Sequence, residues 1–257
     1  MGELEVLPVH DGTARFPATE AFAGTTDEQW RAHRQFLTDD GMLLLELGGF
    51  LVRHRDRLVV IDAGVGSIQG PLAGGAFLDS LAAHGVAPAD VTDVLFTHLH
   101  FDHVGWATRR GEIVFPNATY RCDRRDWAHF VGPDPGATRK LSPLESRLET
   151  WDDSGPVLPG IDALAAPGHT PGSTVIVLSS GSQRALVLGD VAHCPVQLVD
   201  DEWAIIGDVD EALARRTRTA LAREMEGEGV LAAGIHFPGM RFGRLLSGEG
   251  GRRWVVP

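Results

Sequence analysis

The chain has 257 residues, of which 43% are apolar and 23% charged, and its formal net charge is −12. This composition is typical of a soluble globular protein and excludes extensive disorder, and the negative charge, without a basic stripe, argues against a nucleic-acid partner. The acidic first residues do not resemble a secretory signal, no apolar run is long enough to span a bilayer, and the two cysteines fit a reducing compartment. We therefore expect one cytoplasmic domain over residues 1–257, with no membrane partner.

The segment from Asp11 to Asp40 precedes the main strands and carries four aromatic residues. Its Thr26-Asp-Glu-Gln-Trp stretch has the residues of a capped helix start. We expect this segment to be a helix that covers the body of the domain. The alternative is that it forms a pocket wall, or the subunit contact of a homodimer.

Short apolar runs bounded by Gly, Pro and Asp predict β-strands in the rest of the chain. Several runs are apolar on both faces, which indicates sheets covered on both sides. The predicted strands are 42–52, 58–61, 91–96, 118–122, 161–165, 174–178, 184–188 and 229–233. Apolar residues at helical spacing predict helices at 77–84 and 210–225. Strands with interposed helices suit an α/β fold, a four-layer αββα sandwich.

Three histidines and one aspartate follow the predicted strand 91–96 within six positions: His98, His100, Asp102 and His103. Because a strand repeats every two residues, His98 and His100 can project to the same side, whereas Asp102 and His103 converge only if the chain turns. Imidazole and carboxylate groups suit zinc and its first-row relatives. The motif therefore predicts a site for two neighbouring cations at a strand end.

This HxHxDH motif resembles the signature of the metallo-β-lactamase-fold hydrolases, and the resemblance extends from about residue 43 to about residue 242. That family takes its remaining ligands from the ends of later strands, and the chain offers His169, Asp190 and His236 there, each after a short apolar run. The resemblance implies the same four-layer αββα sandwich. It also implies two Zn²⁺ ions, although manganese, iron and cobalt accept the same donors.

The resemblance further implies how seven ligands are shared: His98, His100 and His169 for one ion, Asp102, His103 and His236 for the other, and Asp190 as the bridge. Family members carry an aspartate at the position of Asp62 that orients a ligating histidine. The alternative for Asp62 is a turn residue that bonds local backbone N–H groups.

A pair of cations lowers the pKa of a shared water, so a hydroxide is available at neutral pH. We expect this metal-bound hydroxide to cleave an ester or lactone of a small molecule with an apolar portion, with Asp102 steering the attacking water. The alternatives are phosphotriester or phosphodiester hydrolysis, thioester hydrolysis, and a non-hydrolytic lyase or cyclase of small-molecule biosynthesis. A metal-stabilised binding protein without catalysis is a last alternative.

His193 lies three residues after Asp190. Acyl-homoserine lactonases, which the chain resembles, tend to place a tyrosine there, and organophosphate-hydrolysing relatives tend to place a histidine. His193 is therefore a candidate catalytic residue that donates a proton or a hydrogen bond to the substrate oxygen. The alternative is a histidine bonded to loop backbone.

Four large apolar residues flank the predicted ligands in sequence: Phe101, Trp106, Phe237 and Met240. Side chains this close to a metal centre either line an apolar substrate pocket or brace the loops that carry the ligands. The sequence leaves both interpretations open.

Overall fold

Two β-sheets packed face to face between helices form the body of the protein in a computed structural model, which describes residues 2–200 and 202–257. In chain order the strands are β1 (Glu5–Pro17), β2 (Met42–His54), β3 (Arg57–Ile61), β4 (Leu72–Gly74), β5 (Asp93–Leu95), β6 (Thr108–Arg109), β7 (Glu112–Ile113), β8 (Thr119–Asp123), β9 (Leu148–Trp151), β10 (Gly155–Leu158), β11 (Ile161–Ala165), β12 (Thr174–Ser180), β13 (Gln183–Val187), β14 (Leu231–Ala233), β15 (Arg244–Gly248) and β16 (Gly251–Val255).

Seven helices connect or cover these strands in the described part of the chain: α1 (Ala18–Ala21), α2 (Asp27–Arg31), α3 (Phe77–Ala83), α4 (Arg124–Phe130), α5 (Pro135–Leu141), α6 (Val196–Val199) and α7 (Glu211–Glu228). The larger sheet has the order β4-β1-β2-β3-β5-β8-β9 and the smaller one the order β10-β11-β12-β13-β14. The strand pairs β6–β7 and β15–β16 form separate antiparallel hairpins. None of the described helices has both the length and the apolar character needed to cross a bilayer.

Apolar side chains from both sheets fill the layer between them. Phe50 and Ile61 of the larger sheet lie in one buried cluster with Ile176 and Val187 of the smaller sheet. Because side chains alternate along a strand, Val60 of β3 belongs instead to the cluster on the outer face of the larger sheet. Both faces of this strand are therefore buried, as its continuous apolar run predicts.

Helices cover the outer face of each sheet. Phe77 and Leu81 of α3 belong to the apolar cluster of the larger sheet, and Leu221 and Met225 of α7 belong to that of the smaller sheet. The order of layers is helix, sheet, sheet, helix. The predicted αββα sandwich is thereby confirmed.

The N-terminal segment 11–40 departs in part from its prediction as a covering helix. Residues 11–17 form the second half of β1, which runs antiparallel to β2 within the larger sheet. The strand register shifts between His10 and Gly12, so the bulge at Asp11 interrupts the alternation by which a strand is recognised. This interruption explains why the sequence pattern did not predict β1.

The rest of the segment contains the short helices α1 and α2, which pack on the sandwich. α2 begins at the predicted cap, where the Thr26 hydroxyl accepts a hydrogen bond from the backbone N–H of Gln29 and the Gln29 side chain accepts one from the backbone N–H of Thr26. Trp30 is buried, and its ring centroid lies 4.7 Å from that of Trp203. The covering part of the segment therefore starts only after β1 has ended.

The ends of the central strands meet at one edge of the sandwich. β3 is parallel to β5 in the larger sheet, and β13 is parallel to β14 in the smaller one. Parallel neighbours end on the same side, so the residues that follow them are brought together: Asp62, the motif from His98 to His103, Asp190 and His236. His169 joins them from the connection between β11 and β12.

Candidate metal centre

Three histidines form a first cluster at this edge. Nε2 of His98 lies 3.0 Å from Nδ1 of His100, which lies 2.9 Å from Nε2 of His169. His98 and His100 come from the loop after β5, and His169 comes from the smaller sheet. The first cluster therefore joins the two sheets.

A second cluster lies beside it and contains Asp102, His103 and His236. Nε2 of His103 and Nε2 of His236 are 3.3 Å apart, and Oδ2 of Asp102 lies 3.7 Å from the same nitrogen of His236. Both histidines are buried, whereas the Asp102 side chain is 16% exposed. Asp102 is thus the member of this cluster that solvent reaches.

Asp190 lies between the two clusters, with one carboxylate oxygen toward each. Its Oδ2 is 3.3 Å from Nε2 of His169 and 3.5 Å from Nε2 of His98. Its Oδ1 is 3.2 Å from Nε2 of both His103 and His236. Among the described residues Oδ1 is buried without a hydrogen-bond partner. A carboxylate in this position can bridge two cations.

The spacing of these atoms fits coordination to divalent cations. Zinc–nitrogen bonds of about 2.0–2.1 Å in a tetrahedral site place neighbouring ligand atoms roughly 3.3 Å apart. The separations within each cluster and to Asp190 lie close to this value. The residues also form groups whose ligand atoms all lie within 4.8 Å of one another. The arrangement fits zinc-type ions at both clusters.

The charge states of His98, His100 and Asp190 also fit a cation. Burial lowers the pKa of His98 well below its usual value, and burial together with His169 lowers that of His100 to about 4. Burial opposes ionisation of Asp190, but His103 and the other surrounding imidazoles outweigh it and hold the pKa of this carboxyl well below its usual range. Two neutral imidazoles beside an ionised carboxylate present lone pairs and negative charge to a cation.

Asp62 lies behind the second cluster. Its Oδ2 accepts a hydrogen bond from Nδ1 of His103 at 2.8 Å and another from the Thr97 hydroxyl at 2.6 Å. Its Oδ1 accepts from the backbone N–H of Thr97. The carboxylate therefore fixes the His103 ring with Nε2 toward the cluster, which is the geometry that orientation of a ligating histidine requires.

Two further acceptors behind the histidines carry no local sequence signal. Oδ1 of Asp208 lies 2.8 Å from Nδ1 of His169, and the backbone carbonyl of Glu46 lies 2.7 Å from Nδ1 of His236. Asp208 is 39 positions from its partner and belongs to no motif. Burial opposes the charged form of His169, but hydrogen bonds to Asp190 and Asp208 outweigh it and raise its pKa to about 9.

Two buried aspartates hold the surrounding loops and were also not predicted. Asp126 accepts hydrogen bonds from the backbone N–H groups of Leu99 and Gly172, so it ties the motif loop to the loop of His169. Asp11, at the bulge of β1, accepts from four backbone N–H groups in residues 65–77. Long-range contacts of this kind leave no spacing pattern in the sequence.

His193 faces Asp190 rather than the loop backbone. Its Nε2 is 3.0 Å from Oδ2 of Asp190, and its ring stacks on that of His236 with centroids 5.3 Å apart. Among the described residues its Nδ1 is buried without a hydrogen-bond partner. The adjacent Cys194 is buried, and burial raises the pKa of its thiol to about 12, which makes it a packed thiol rather than a nucleophile.

A cavity of about 390 Å³ opens beside His100. Its walls are mostly apolar and come from the motif loop, from α4 and from α5: Val65, Leu99, Phe101, Val104, Phe130 and Ala137. Phe101 is 61% exposed, which is unusual for a large apolar side chain. Of the four residues considered for a substrate pocket, Phe101 is the one that borders this cavity.

The other three residues do not border the cavity at His100. Trp106 is buried in the core of the larger sheet, and its indole N–H donates a hydrogen bond to Asp11. Met240 is buried between the sheets. Phe237 packs against Trp254, with ring centroids 5.3 Å apart, and both line a different cavity of about 520 Å³.

Residues 49–226 match the family model of the metallo-beta-lactamase superfamily, which is more than half of the chain. The chain belongs to this superfamily. The mouse protein named metallo-beta-lactamase domain-containing protein 1 (Mus musculus) is 51% identical over 169 residues, which are 62% of this chain and 53% of that protein. The chain thus spans about half the length of that relative. An N-acyl homoserine lactonase of Bacillus thuringiensis is 22% identical over 210 residues, 73% of this chain and 81% of that protein.

Solved structures share the fold of this superfamily member. AidC, a dizinc quorum-quenching lactonase determined with its product, superposes with a TM-score of 0.91 at 23% identity and covers 100% of this chain and 95% of its own. The hydrolase AbOPH gives a TM-score of 0.89 at 24% identity with the same coverage of both chains. Identities this low show the metallo-β-lactamase fold alone. The chain thus combines membership of the metallo-beta-lactamase superfamily with clusters of histidine and aspartate residues that could hold metal ions.

Proposed function

We propose that this protein is a metal-dependent hydrolase with a dinuclear centre, and that it opens an ester or lactone of a small molecule that has an apolar portion. The observation that carries the proposal is the placement of Asp190, whose two oxygens face two separate ligand clusters. In this proposal the first cluster holds one ion, the second cluster holds the other, and Asp190 bridges them. Zinc is the proposed metal because imidazole and carboxylate suit it, and manganese, iron or cobalt would accept the same donors.

Divalent cations bound there would supply Lewis acidity and a water whose pKa is lowered toward neutrality. Asp102 is the carboxylate that an incoming water can reach, since its side chain is 16% exposed and that of Asp190 is 3% exposed. In our proposal Asp102 accepts a hydrogen bond from the attacking water and so orients it toward the carbonyl carbon of the substrate. Asp62 holds His103 in place during this step.

His193 has a more restricted role in this geometry than the sequence suggests. Its Nε2 faces a carboxylate oxygen of Asp190, so the proton of the neutral ring belongs on Nε2. Its Nδ1 then carries a lone pair. Because Nδ1 is buried, we propose that His193 acts through Nε2, by holding the carboxylate of Asp190 in place.

The cavity beside His100 supports a substrate with an apolar portion. Its volume of about 390 Å³ is within the range of small-molecule sites, roughly 300–1,000 Å³. Phe101 and Phe130 supply aromatic walls next to the first cluster. The lactonases among the relatives support the lactone class. Phosphotriester cleavage is the competing function, because a histidine rather than a tyrosine stands at position 193.

A substrate panel tests the proposed function. The zinc-loaded protein is assayed with an acyl lactone, an aryl ester and a phosphotriester, each with and without a chelator. We expect chelator-sensitive turnover that is fastest with the lactone or the ester. Faster cleavage of the phosphotriester would replace the proposed substrate class, and no turnover of any substrate by protein that binds two ions would favour a non-hydrolytic reaction.

A substitution at His193 tests its proposed role beside Asp190. His193→Phe keeps a planar ring but removes both nitrogens, so we expect turnover to fall at least tenfold while the metal content stays at the wild-type level. Elemental analysis and steady-state kinetics on the same preparation provide the measurement. Full activity on every accepted substrate would return His193 to a structural role.

A further inference from the structure

A buried carboxylate stands behind His169, in the same relation that Asp62 has to His103. Oδ1 of Asp208 lies 2.8 Å from Nδ1 of His169, and the two side chains are 2% and 5% exposed. The other ring nitrogen of His169 faces the first cluster and Asp190. A carboxylate at Nδ1 places the proton there and leaves the Nε2 lone pair directed into the site.

We propose that Asp208 is the positioning residue of the first cluster, as Asp62 is of the second. This inference rests on the metal centre proposed above. Two other histidines have different partners in the described part of the chain: Nδ1 of His236 bonds the backbone carbonyl of Glu46, and Nδ1 of His98 lies near the Thr97 hydroxyl. Each cluster therefore contains one histidine that is backed by a buried carboxylate.

The residues immediately before α7 fix the position of Asp208. The backbone N–H of Val209 donates to the carbonyl of His169 at 3.0 Å, and that of Asp210 donates to the carbonyl of Gly168 at 2.9 Å. Asp210 also caps α7 through the backbone N–H of Leu213. Side-chain and backbone contacts thus bind the same short segment to the His169 loop, and the carboxylate is not free to turn away.

A bound cation would lie on the far side of the His169 ring from Asp208. The second oxygen of Asp208, Oδ2, is buried without a hydrogen-bond partner among the described residues. A buried carboxylate that is incompletely bonded costs free energy unless an opposite charge lies nearby. A cation held by Nε2 of His169 would supply that charge, because Nδ1 of the same ring contacts Asp208.

The test compares the affinities of two ions in variants that remove one carboxylate each. Asp208→Asn keeps the shape of the side chain and a hydrogen-bond acceptor but removes the charge. Loss of a carboxylate behind a ligating histidine lowers metal affinity by roughly 10–100-fold. We expect this loss at one of the two ions in Asp208→Asn and at the other ion in Asp62→Asn, measured by zinc competition with a chromophoric chelator. Asp152→Asn, at an exposed ion pair with Arg124, is the matched control and should leave both affinities unchanged.

Two further measurements separate positioning from a structural role. In a His98→Ala background, which already weakens the first cluster, Asp208→Asn should cause no additional loss at the remaining ion. In the metal-free protein Asp208→Asn should lower the unfolding temperature no more than Asp62→Asn does, because each change alters one buried carboxylate–histidine contact. A larger fall in Asp208→Asn, together with an equal loss of affinity at both ions, would indicate a structural role and overturn the inference.

The outcomes also separate this inference from the proposed function. Unchanged affinity for both ions in Asp208→Asn would overturn the role of Asp208 and leave the metal centre intact. If wild-type protein bound no divalent ion in the same titration, the proposed function would fail, and the inference would fail with it. Recovery of affinity in Asp208→Glu relative to Asp208→Asn would support a role that depends on the negative charge.

Discussion

At the scale of single residues, Asp190 is the side chain on which the candidate centre depends. Each of its oxygens lies 3.2–3.5 Å from two histidine nitrogens, and one of these oxygens has no hydrogen-bond partner among the described residues. The other members of the two clusters face one cluster only. A change at Asp190 is therefore expected to affect both ions, and a change at another ligand mainly one.

Asp190→Asn should weaken both ions at once, since an amide offers one weakly basic oxygen in place of a charged bridge. His98→Ala should mainly remove the ion that the first cluster holds. Elemental analysis after dialysis against buffer of fixed zinc concentration measures both outcomes. The bridging assignment would be contradicted if Asp190→Asn retained two ions per chain under conditions in which His98→Ala had lost one.

The sequence predicted the residues of the site better than the contacts around them. His98, His100, Asp102 and His103 share a spacing that coordination chemistry explains, so a local pattern reveals them. Asp208 and its partner are 39 positions apart and meet only after α7 has packed on the smaller sheet. A contact of this kind depends on tertiary structure and has no local pattern.

At the scale of elements, α7 is joined closely to the loop that carries His169. The Thr217 hydroxyl donates to the carbonyl of Pro167 at 2.7 Å. Gly168, with φ of +137°, lies so near the helix that a Cβ built on it would be 2.2 Å from the backbone nitrogen of Ala214. Only glycine allows this approach, so the helix and the metal-site loop are positioned together.

Gly168→Ala should separate α7 from this loop. The strained φ and the contact with Ala214 together should lower the free energy of unfolding by about 3 kcal/mol and also reduce zinc affinity. Gly181→Ala is the matched control, because Gly181 has φ of +60° but open space around it. This substitution should lower the free energy of unfolding by only about 1 kcal/mol. Urea unfolding and zinc titration of both variants provide the measurement. Equal effects of the two changes would show that the close packing at Gly168 is unimportant.

The strands also show that a sequence pattern reveals an element only where that pattern is locally regular. β11, covering Ile161–Ala165, has the predicted bounds, because turn residues mark both of its ends. β1 was missed because its bulge at Asp11 removes the regular alternation. The hairpin of β15 and β16 was also missed, since its exposed residues give no apolar run. Strands buried on both faces are predictable, and those at the edges are less so.

At the scale of the whole molecule, the site lies where the two sheets meet. The motif residues follow a strand of the larger sheet, whereas His169, Asp190 and His236 follow strands of the smaller one. Metal ions held jointly by the motif residues of the larger sheet and by the three ligands of the smaller sheet would connect the two sheets. The fold should therefore be more stable with metal than without it.

Removal of metal with a chelator should lower the unfolding temperature. Ligand that binds only the native state at about a thousandfold above its Kd adds about 4 kcal/mol to stability. In a chain of this size that corresponds to roughly 10 °C. Differential scanning fluorimetry with and without chelator measures the shift, and Asp190→Asn serves as the control because its shift should be much smaller. Identical unfolding temperatures for the loaded and stripped wild type would argue against ions that link the sheets.

The division of the ligands between the sheets has a consequence for synthesis of the chain on the ribosome. His98 to His103 emerge early, but Asp190 and His236 follow about 90 and 130 residues later. Until then the nascent polypeptide carries only part of the proposed chelating site. In the proposed dinuclear centre, complete metal binding would therefore be a late event that requires the last strand of the smaller sheet to be in place.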